Sequence, residues 1–411
     1  MTNSAPREVV LGVTGSIAAY KAAEIASQLV QRGIKVTPVL TTAACELVCP
    51  ATFEAITGNK AITRLFEPLS NPEIEHIAVA NRADLFLIAP ATANILAKAA
   101  VGIADDWLST TLLATRAPVL FAPAMNTLMY EHPATQENLR ILKQRGCHFI
   151  GPESGRLACG TVGAGRMADP SHIVEFALTL LDPRNDLRNV RVLITSGPTR
   201  EPIDPVRFIS NRSSGKMGTA LAREALFRKA HVTVISGPSE VAMPYGVEVL
   251  YVETAEEMAQ ACATRFSECD VFIAAAAVAD YKPDHVLDTK HKRSDGPLRL
   301  SLVENPDILG TLAQRKAPHQ IIVGFAAETD NLLAHAREKL TKKNLDFLLA
   351  NQIGIPQSGF GTSTVRAYLL HASGETADLG LLPKETVAER IFDRVAELIK
   401  KRTATQGASS L

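Results

Sequence analysis

Three turns follow the first three strand-like runs of the chain, and each carries hydroxyls or small side chains: TGS (Thr14, Gly15, Ser16), TTA (Thr41, Thr42) and ATAN (Thr92, Asn94). Hydroxyl donors beside the unpaired amides of a helix N-terminus suit a phosphate, and small residues leave room for a flat ring. Gly12 and Gly15 give GxxGS and not GxGxxG, so a mononucleotide such as FMN fits better than NAD. Each turn alone is equally well an N-cap; three in succession at strand ends point to a shared ligand. Cys159 lies in SGRLACGTVGAGRM (Ser154–Met167), whose glycines predict a mobile lid and not a packed element. His76, in EIEHIAVANRAD, has a near-neutral pKa suited to proton transfer, although a lone histidine at helical spacing is more often structural. Asn126, in PAMNTLMY, reads as a helix cap.

The second half offers a different chemistry. A polar loop with Asn211, Arg212, Ser213, Ser214 and Lys216 separates an apolar strand from a helix, and a donor-rich loop at a helix N-terminus suits an anion. SSGKMG lacks the GxxxxGK[ST] spacing, which excludes a P-loop. Positive charge that could meet phosphates lies in KHKR (Lys290 to Arg293) and in Lys339 and Lys343, which share one helix side at i, i+4. AAAVADYKP, NPDIL and GFAAET read as the polar ends of buried strands.

Holding such loops at strand ends requires a parallel sheet covered on both faces. Strand-like runs at Val9–Val13, Lys35–Leu40, Leu85–Ala89, Val119–Ala122 and Cys147–Ile150 alternate with helical patterns. The alternation restarts with Val192–Thr195, Val232–Ile235, Val249–Val252, Val271–Ala274, Ile321–Phe325 and Phe347–Ala350. The fold class is therefore α/β, two doubly wound, mostly parallel-sheet Rossmann-like domains. The polar stretch Asp182–Asn189 joins them, giving domains 1–189 and 190–402; an amphipathic helix over Pro383–Lys400 closes the second, and residues 403–411 are expected to be a disordered tail.

Composition bounds the partners. Lys plus Arg (43) equals Asp plus Glu (43), so no global field would collect nucleic acid or an acidic membrane. No apolar run reaches the roughly 18–20 residues of a membrane span. The six cysteines (45, 49, 147, 159, 262, 269) form no CxxC pair, which speaks against a zinc site or disulfide framework and for a reducing cytoplasm.

GSIAAYK, His76 with Ala83-Asp84, APATAN, PAMN and the ACG flap with GxGRM together resemble the flavin-dependent cysteine decarboxylases. Nearly end to end, the chain resembles the bacterial bifunctional phosphopantothenoylcysteine decarboxylase/phosphopantothenate–cysteine ligases. The resemblance implies a flavodoxin-like decarboxylase domain with FMN at Gly15, Ser16, Thr41, Thr92 and Asn94. It implies that His76 and Asn126 hold the substrate's cysteine carboxylate and that Cys159 is the proton donor. In the ligase half it assigns CTP to Ala274, Ala275, Ala276, Asp280, Lys290, Pro306, Asp307, Ile308, Leu309, Phe325, Lys339 and Lys343, with Mg2+, and gives Asn211 the acyl-cytidylate intermediate. KHKR departs from the family at His291 and Arg293. The implied substrates are 4'-phosphopantothenate, L-cysteine and CTP, and the implied assembly is a homo-oligomer with trimeric decarboxylase and dimeric ligase contacts. A flavin-binding regulatory subunit without decarboxylase activity, or a nicotinamide oxidoreductase, are the alternative readings; retention of Cys159 speaks against the first and the missing GxGxxG against the second.

Overall fold

The computed structural model describes residues 6–65, 75–157, 160–181, 184–239, 241–292, 298–328, 331–355, 357–359 and 361–408. The chain divides into two compact units, Met1–Asp182 and Pro183–Leu411. The join therefore falls at the start of the polar stretch expected to form it, because Leu187 is fully buried in the hydrophobic core of the second unit.

In the first unit, five strands form a parallel sheet: β1 (Glu8–Val13), β2 (Lys35–Leu40), β3 (Leu85–Ala91), β4 (Val119–Pro123) and β5 (His148–Phe149), in the order β2-β1-β3-β4-β5. Every residue of β1 and β3 is buried, as a parallel sheet covered on both faces requires. Alternate side chains feed two cores: Val9, Leu11 and Val13 pack on one face with helix Lys21–Val30, while Val10, Phe86 and Phe121 pack on the other with helix Ala93–Val101. That second helix stops where Gly102 adopts φ +83° and its amide closes onto the carbonyl of Lys98. An antiparallel hairpin, β6 (Glu153–Arg156) with β7 (Val162–Arg166), follows the sheet.

The second unit begins with β8 (Arg191–Ser196), followed by a small ribbon, β9 (Arg200–Pro202) with β10 (Phe208–Ser210). Next come β11 (His231–Ser236), β12 (Glu248–Tyr251), β13 (Val271–Ala274) and a second ribbon, β14 (Tyr281–Pro283) with β15 (Leu302–Glu304). The chain continues through β16 (Ile321–Glu328), β17 (Phe347–Gln352), β18 (Thr364–His371) and β19 (Thr376–Pro383). The main sheet runs β12-β11-β8-β13-β16-β17-β18-β19, parallel as far as β17 and antiparallel beyond it. The antiparallel pair β18–β19 lies outside the strand–helix alternation expected from the sequence; Gly374, at φ +96°, makes its tight turn.

The last helix, Lys384–Ala408, passes well beyond the expected end at Lys400 and into the segment expected to be a disordered tail. Arg402 anchors the extension: its guanidinium donates to the carbonyls of His319 and Gln320 and pairs with Asp346 at 2.5 Å. Within the same unit Arg228, 1% exposed, ties Glu224, Asp186 and Asp393 together, so the polar stretch after Pro183 is held by charge as well as by Leu187.

Candidate functional sites

In the first unit β1 leads to β2 on one side and lies beside β3 on the other, so a crevice opens where the strand order reverses. The sequence places its hydroxyl turns there. The Thr14 hydroxyl donates to the Pro90 carbonyl at 2.6 Å and accepts from the Thr92 amide at 3.1 Å, which laces the β1 turn to the β3 turn. The Thr41 amide donates to the Val13 carbonyl, adding the β2 turn to the same rim. Ser16, Thr41 and Thr92 also cap the three short helices that follow. The turns approach so closely that a Cβ on Gly15 would stand 2.6 Å from that of Ala43. Gly15 and Asn94 are exposed and Ser16, Thr41 and Thr92 half-buried. Gly15, Ser16, Thr41 and Thr92 thus stand on this rim at the ends of β1, β2 and β3, and Asn94 lies in the first turn of the helix that Thr92 caps.

Asn126 accepts from the Leu128 amide and caps helix Thr127–Glu131, directly after β4. The glycine-rich segment expected to be a mobile lid is, over its described residues, a hairpin packed on this turn. The Met125 amide donates to the Gly165 carbonyl at 3.0 Å, and a Cβ on Gly165 (φ +134°) would lie 2.2 Å from the Met125 carbonyl oxygen. A Cβ on Gly163 would lie 2.6 Å from the Thr127 hydroxyl. These glycines permit close packing of backbone on backbone. Cys159 lies outside the described residues. His76 is half-buried in helix Glu75–Arg82, which packs against helix Trp107–Ala114. Burial pushes the Cys262 and Cys269 thiols up to about 12 and raises those of Cys45 and Cys147, which makes these four weak nucleophiles.

The second unit repeats the architecture. Between β8 and β13 the order reverses, and the Thr195 hydroxyl accepts from the Ala276 amide at 3.2 Å while the Thr199 hydroxyl accepts from the Ala279 amide at 3.0 Å. A cavity of about 850 Å³ opens at these strand ends. Of the expected nucleotide residues, Ala274, Ala275, Ala276, Asp280, Pro306, Asp307, Ile308, Leu309, Phe325, Lys339 and Lys343 all line it, as does Asn211. Lys290 is exposed and is not part of this wall. Its neighbour His291 docks instead on the buried Asp204, and Arg207 binds both Asp204 and the His291 carbonyl.

Local bonds fix several of these groups. The Asn211 side-chain amide donates to the carbonyls of Ala277 (3.2 Å) and Val278 (3.0 Å), which spends both its protons and leaves Oδ1 as an acceptor. Lys343 pairs with Asp307 at 2.8 Å. Burial would raise the Asp307 carboxyl, but Lys343 and the Gly310 amide overcome it and hold the group below its ordinary range. Asn305, Lys216 and Lys384 line the cavity too and are not among the nucleotide residues expected from the sequence. Asn305 secures the Ala279–Tyr281 turn by donating its side-chain amide to Ala279 and its backbone amide to Asp280. The NPDIL motif carries that signal; Lys384 sits in an ordinary helical stretch and carries none.

Two doubly wound units, each with a laced switch-point crevice, place the chain among the α/β proteins that bind ligands at the carboxyl ends of their strands. Residues 1–182 match the family described as Flavoprotein, and residues 187–399 match the DNA/pantothenate metabolism flavoprotein C-terminal domain. The coenzyme A biosynthesis bifunctional protein CoaBC of Bacillus subtilis is 44% identical over 96% of this chain and 98% of its own, and that of Escherichia coli K12 is 42% identical over 95% and 97%. The crystal structure of the C-terminal domain of a CoaBC protein, at 37% identity, covers 53% of this chain and 99% of its own with a TM-score of 0.46. The chain belongs to the CoaBC family of bifunctional coenzyme A biosynthesis enzymes, and its first unit is a flavoprotein domain.

Proposed function

We propose that the second unit ligates L-cysteine to 4'-phosphopantothenate with CTP, and that the first unit then decarboxylates the product with FMN to give 4'-phosphopantetheine. In the ligase step a carboxylate oxygen attacks the α-phosphorus of CTP, the bond to the β-phosphate oxygen breaks, and pyrophosphate leaves. The cysteine amine then attacks the acyl carbon of the acyl-cytidylate, loses its proton, and expels CMP to leave an amide. In this reading Asn211 Oδ1, the acceptor left once its amide donates to Ala277 and Val278, orients that amine's N–H. The observation that carries this half is the convergence on one cavity of Asn211 with the Ala274–Ala276 turn, Asp280, the Pro306–Leu309 turn, Phe325, Lys339 and Lys343. Among the described residues no cluster of three or more acidic, histidine or cysteine side chains could hold a metal. Mg2+ in this reading travels on the nucleotide phosphates, its usual mode in such sites. Lys290, which the resemblance assigns to the nucleotide, is exposed and lies outside this wall.

In the decarboxylase step the rim of Gly15, Ser16, Thr41, Thr92 and Asn94 holds FMN, a reading supported by the flavoprotein family match and by the hydrogen bonds that lace the β1 turn to the β3 turn. FMN supplies a two-electron acceptor at the thiol-bearing carbon, which the carbon dioxide step needs because a plain carbanion there has no sink. His76 and Asn126 hold the departing carboxylate, and Cys159 delivers the final proton. The exposed Leu128 and Val162, beside the Asn126 turn, suit burial in a homo-oligomer. No described helix is long and apolar enough to cross a membrane, and a cytoplasmic location fits the reading.

Absorbance and turnover test it together. The purified chain is expected to show flavin bands and to convert 4'-phosphopantothenate, L-cysteine and CTP into 4'-phosphopantetheine with release of carbon dioxide. A folded, colourless preparation that refuses FMN and ignores CTP overturns it. A yellow protein that forms the amide but releases no carbon dioxide points to the regulatory alternative for the first unit. Cys159→Ser is expected to release carbon dioxide and stall at the oxidised enethiol; a normal yield of 4'-phosphopantetheine removes Cys159 from its role.

A further inference from the structure

The turn after β13 spends most of its backbone polar groups on fixed partners. The Ala276 amide donates to the Thr195 hydroxyl at 3.2 Å and the Ala277 amide to the Gly197 carbonyl at 2.9 Å. The Asn211 side chain takes the carbonyls of Ala277 and Val278, and the hydroxyl of the fully buried Thr199 accepts from the Ala279 amide at 3.0 Å. The next two carbonyls go to one residue. Asn305 donates its side-chain amide to Ala279 at 2.9 Å and its backbone amide to Asp280 at 2.8 Å. It reaches both across the ribbon β14–β15: Tyr281 stands opposite Glu304, so Asn305 meets Asp280 one step past the end of the ladder.

The Asn305 side chain has a single workable orientation. Turning the amide over would set Oδ1 against the Ala279 oxygen, so Nδ2 faces it. Oδ1 is then buried with no hydrogen-bond partner among the described residues, a cost that a freely turning asparagine avoids. Asp280 is the contrast. Its carbonyl and the peptide before it are pinned, while its carboxylate is exposed, lines the cavity and has no hydrogen bond or ion pair among the described residues. An acceptor-only group on rigid backbone, without a protein partner, is arranged for a donor that the ligand brings. Were the anchor absent, the turn would be ordered only on binding, and the ligand's affinity would carry that cost.

We propose that Asn305 is a positioning residue of the ligase site: it fixes the Ala279–Asp280 peptide and through it presents the Asp280 carboxylate to a donor on the nucleotide. That role rests on the ligase reading above, which gives Asp280 to the nucleotide and assigns nothing to Asn305.

The test is a double-mutant cycle in the full chain, with calorimetric CTP affinities for the parent, Asn305→Ala, Asp280→Asn and the two combined. Each single substitution is expected to weaken CTP about tenfold, the scale of one lost polar contact. Because Asn305 acts through Asp280, the combined variant is expected to bind CTP within about twofold of Asp280→Asn alone. A combined loss equal to the product of the two single losses overturns the proposal, since Asn305 then acts by its own contact with the nucleotide or on the fold at large. Either single variant within about twofold of the parent overturns it as well. Initial rates add a second readout: Asn305→Ala is expected to raise the KM for CTP and not to lower kcat at saturation, and a fall in kcat at unchanged KM removes the role. Should Asn305→Ala fail to fold, Asn305→Ser, too short to reach Ala279, takes its place in the cycle. A parent that neither binds CTP nor forms the amide strikes the ligase reading instead, and amide hydrogen exchange then decides for Asn305. Faster exchange across residues 276–281 in the variant keeps it as the anchor of Asp280, and exchange at the parental rate removes it.

Discussion

The hydroxyl of Thr195, on the first strand of the second unit, accepts a hydrogen bond from the backbone amide of Ala276 at 3.2 Å. Thr195 is 3% exposed, so the bond is shielded from water. It fixes the turn after β13 against the turn after β8, and the nucleotide reading needs those backbone groups held still. Thr195→Val keeps the volume and the β-branch but leaves the Ala276 amide without its acceptor, a loss of about 1–3 kcal/mol. Calorimetry is expected to show CTP binding weakened about tenfold. Carbon dioxide release from supplied 4'-phospho-N-pantothenoylcysteine is expected to be unchanged; a fall in both activities would show that the substitution disturbs more than this turn.

Asn211 makes a sharper case, because its side-chain amide donates to two carbonyls at once. In Asn211→Asp a carboxylate oxygen replaces the donor and faces the oxygens of Ala277 and Val278, so the side chain must turn away. In the proposed ligase reaction CTP activation does not use that donor, whereas capture of the amine uses a placed acceptor. Acyl-cytidylate is expected to accumulate while amide formation falls by about 100-fold or more, the scale of losing one positioned polar group in a transition state. Quenched-flow mass spectrometry reads both species, and amide formation at the parental rate would remove Asn211 from the reaction.

Gly165 joins conformation to site in the first unit. With φ at +134°, and with any Cβ at this position forced to within 2.2 Å of the Met125 carbonyl oxygen, there is no room for alanine. Gly165→Ala is expected to cost roughly 1–3 kcal/mol in backbone strain alone and to push the hairpin off the Asn126 turn. Decarboxylation should then drop at least tenfold while amide formation in the same chain continues. Equal loss of both reactions would mean global unfolding, which a thermal melt detects.

What the sequence discloses follows a physical division. Runs such as Val9–Val13 and Val271–Ala274 are buried on both faces, so their strand character is written in consecutive apolar residues and needs no partner to be recognised. The turns that end such runs are legible for the same reason: Thr14 and Thr92 break apolar runs at points where a sheet must place a loop, whereas NPDIL, expected at the end of a buried strand, follows the exposed ribbon strand β15 and caps a helix through Asp307. Lys384 is illegible because its buried ammonium meets the Gly359 carbonyl, 25 residues earlier in the chain, and nothing in the local pattern signals that contact. The hairpin β6–β7 departs from the expected lid since glycines that allow close packing and glycines that allow motion look identical until Met125 is seen against Gly165. The last helix outruns its expected end through Arg402, whose partners lie near residues 319 and 346.

The amino-terminal ends of the first unit's strands carry a charge cluster whose stability contribution depends on pH in a defined direction. Glu8, on β1, accepts from Arg82 Nε at 2.9 Å, from the Thr37 hydroxyl at 2.7 Å and from Lys35 Nζ at 3.1 Å. Burial alone would raise its carboxyl, but these three donors outweigh burial and hold it below its ordinary value of 4.5. A carboxylate with a depressed folded-state pKa stabilises fully above the unfolded value and loses that contribution as pH falls through the folded one. Glu8→Gln removes the charge while keeping the shape. At pH 7 it is expected to cost about 2 kcal/mol, the scale of hydrogen bonds to a charged group, and so to lower the Tm by roughly 4–8 °C for a unit of this size. The gap between the two proteins should narrow once the pH drops below about 4.5 and close further down, as the parental carboxyl protonates. Melting curves collected from pH 7 to pH 3 test this, and a gap of constant size across that range would show that Glu8 acts through packing and not through its charge.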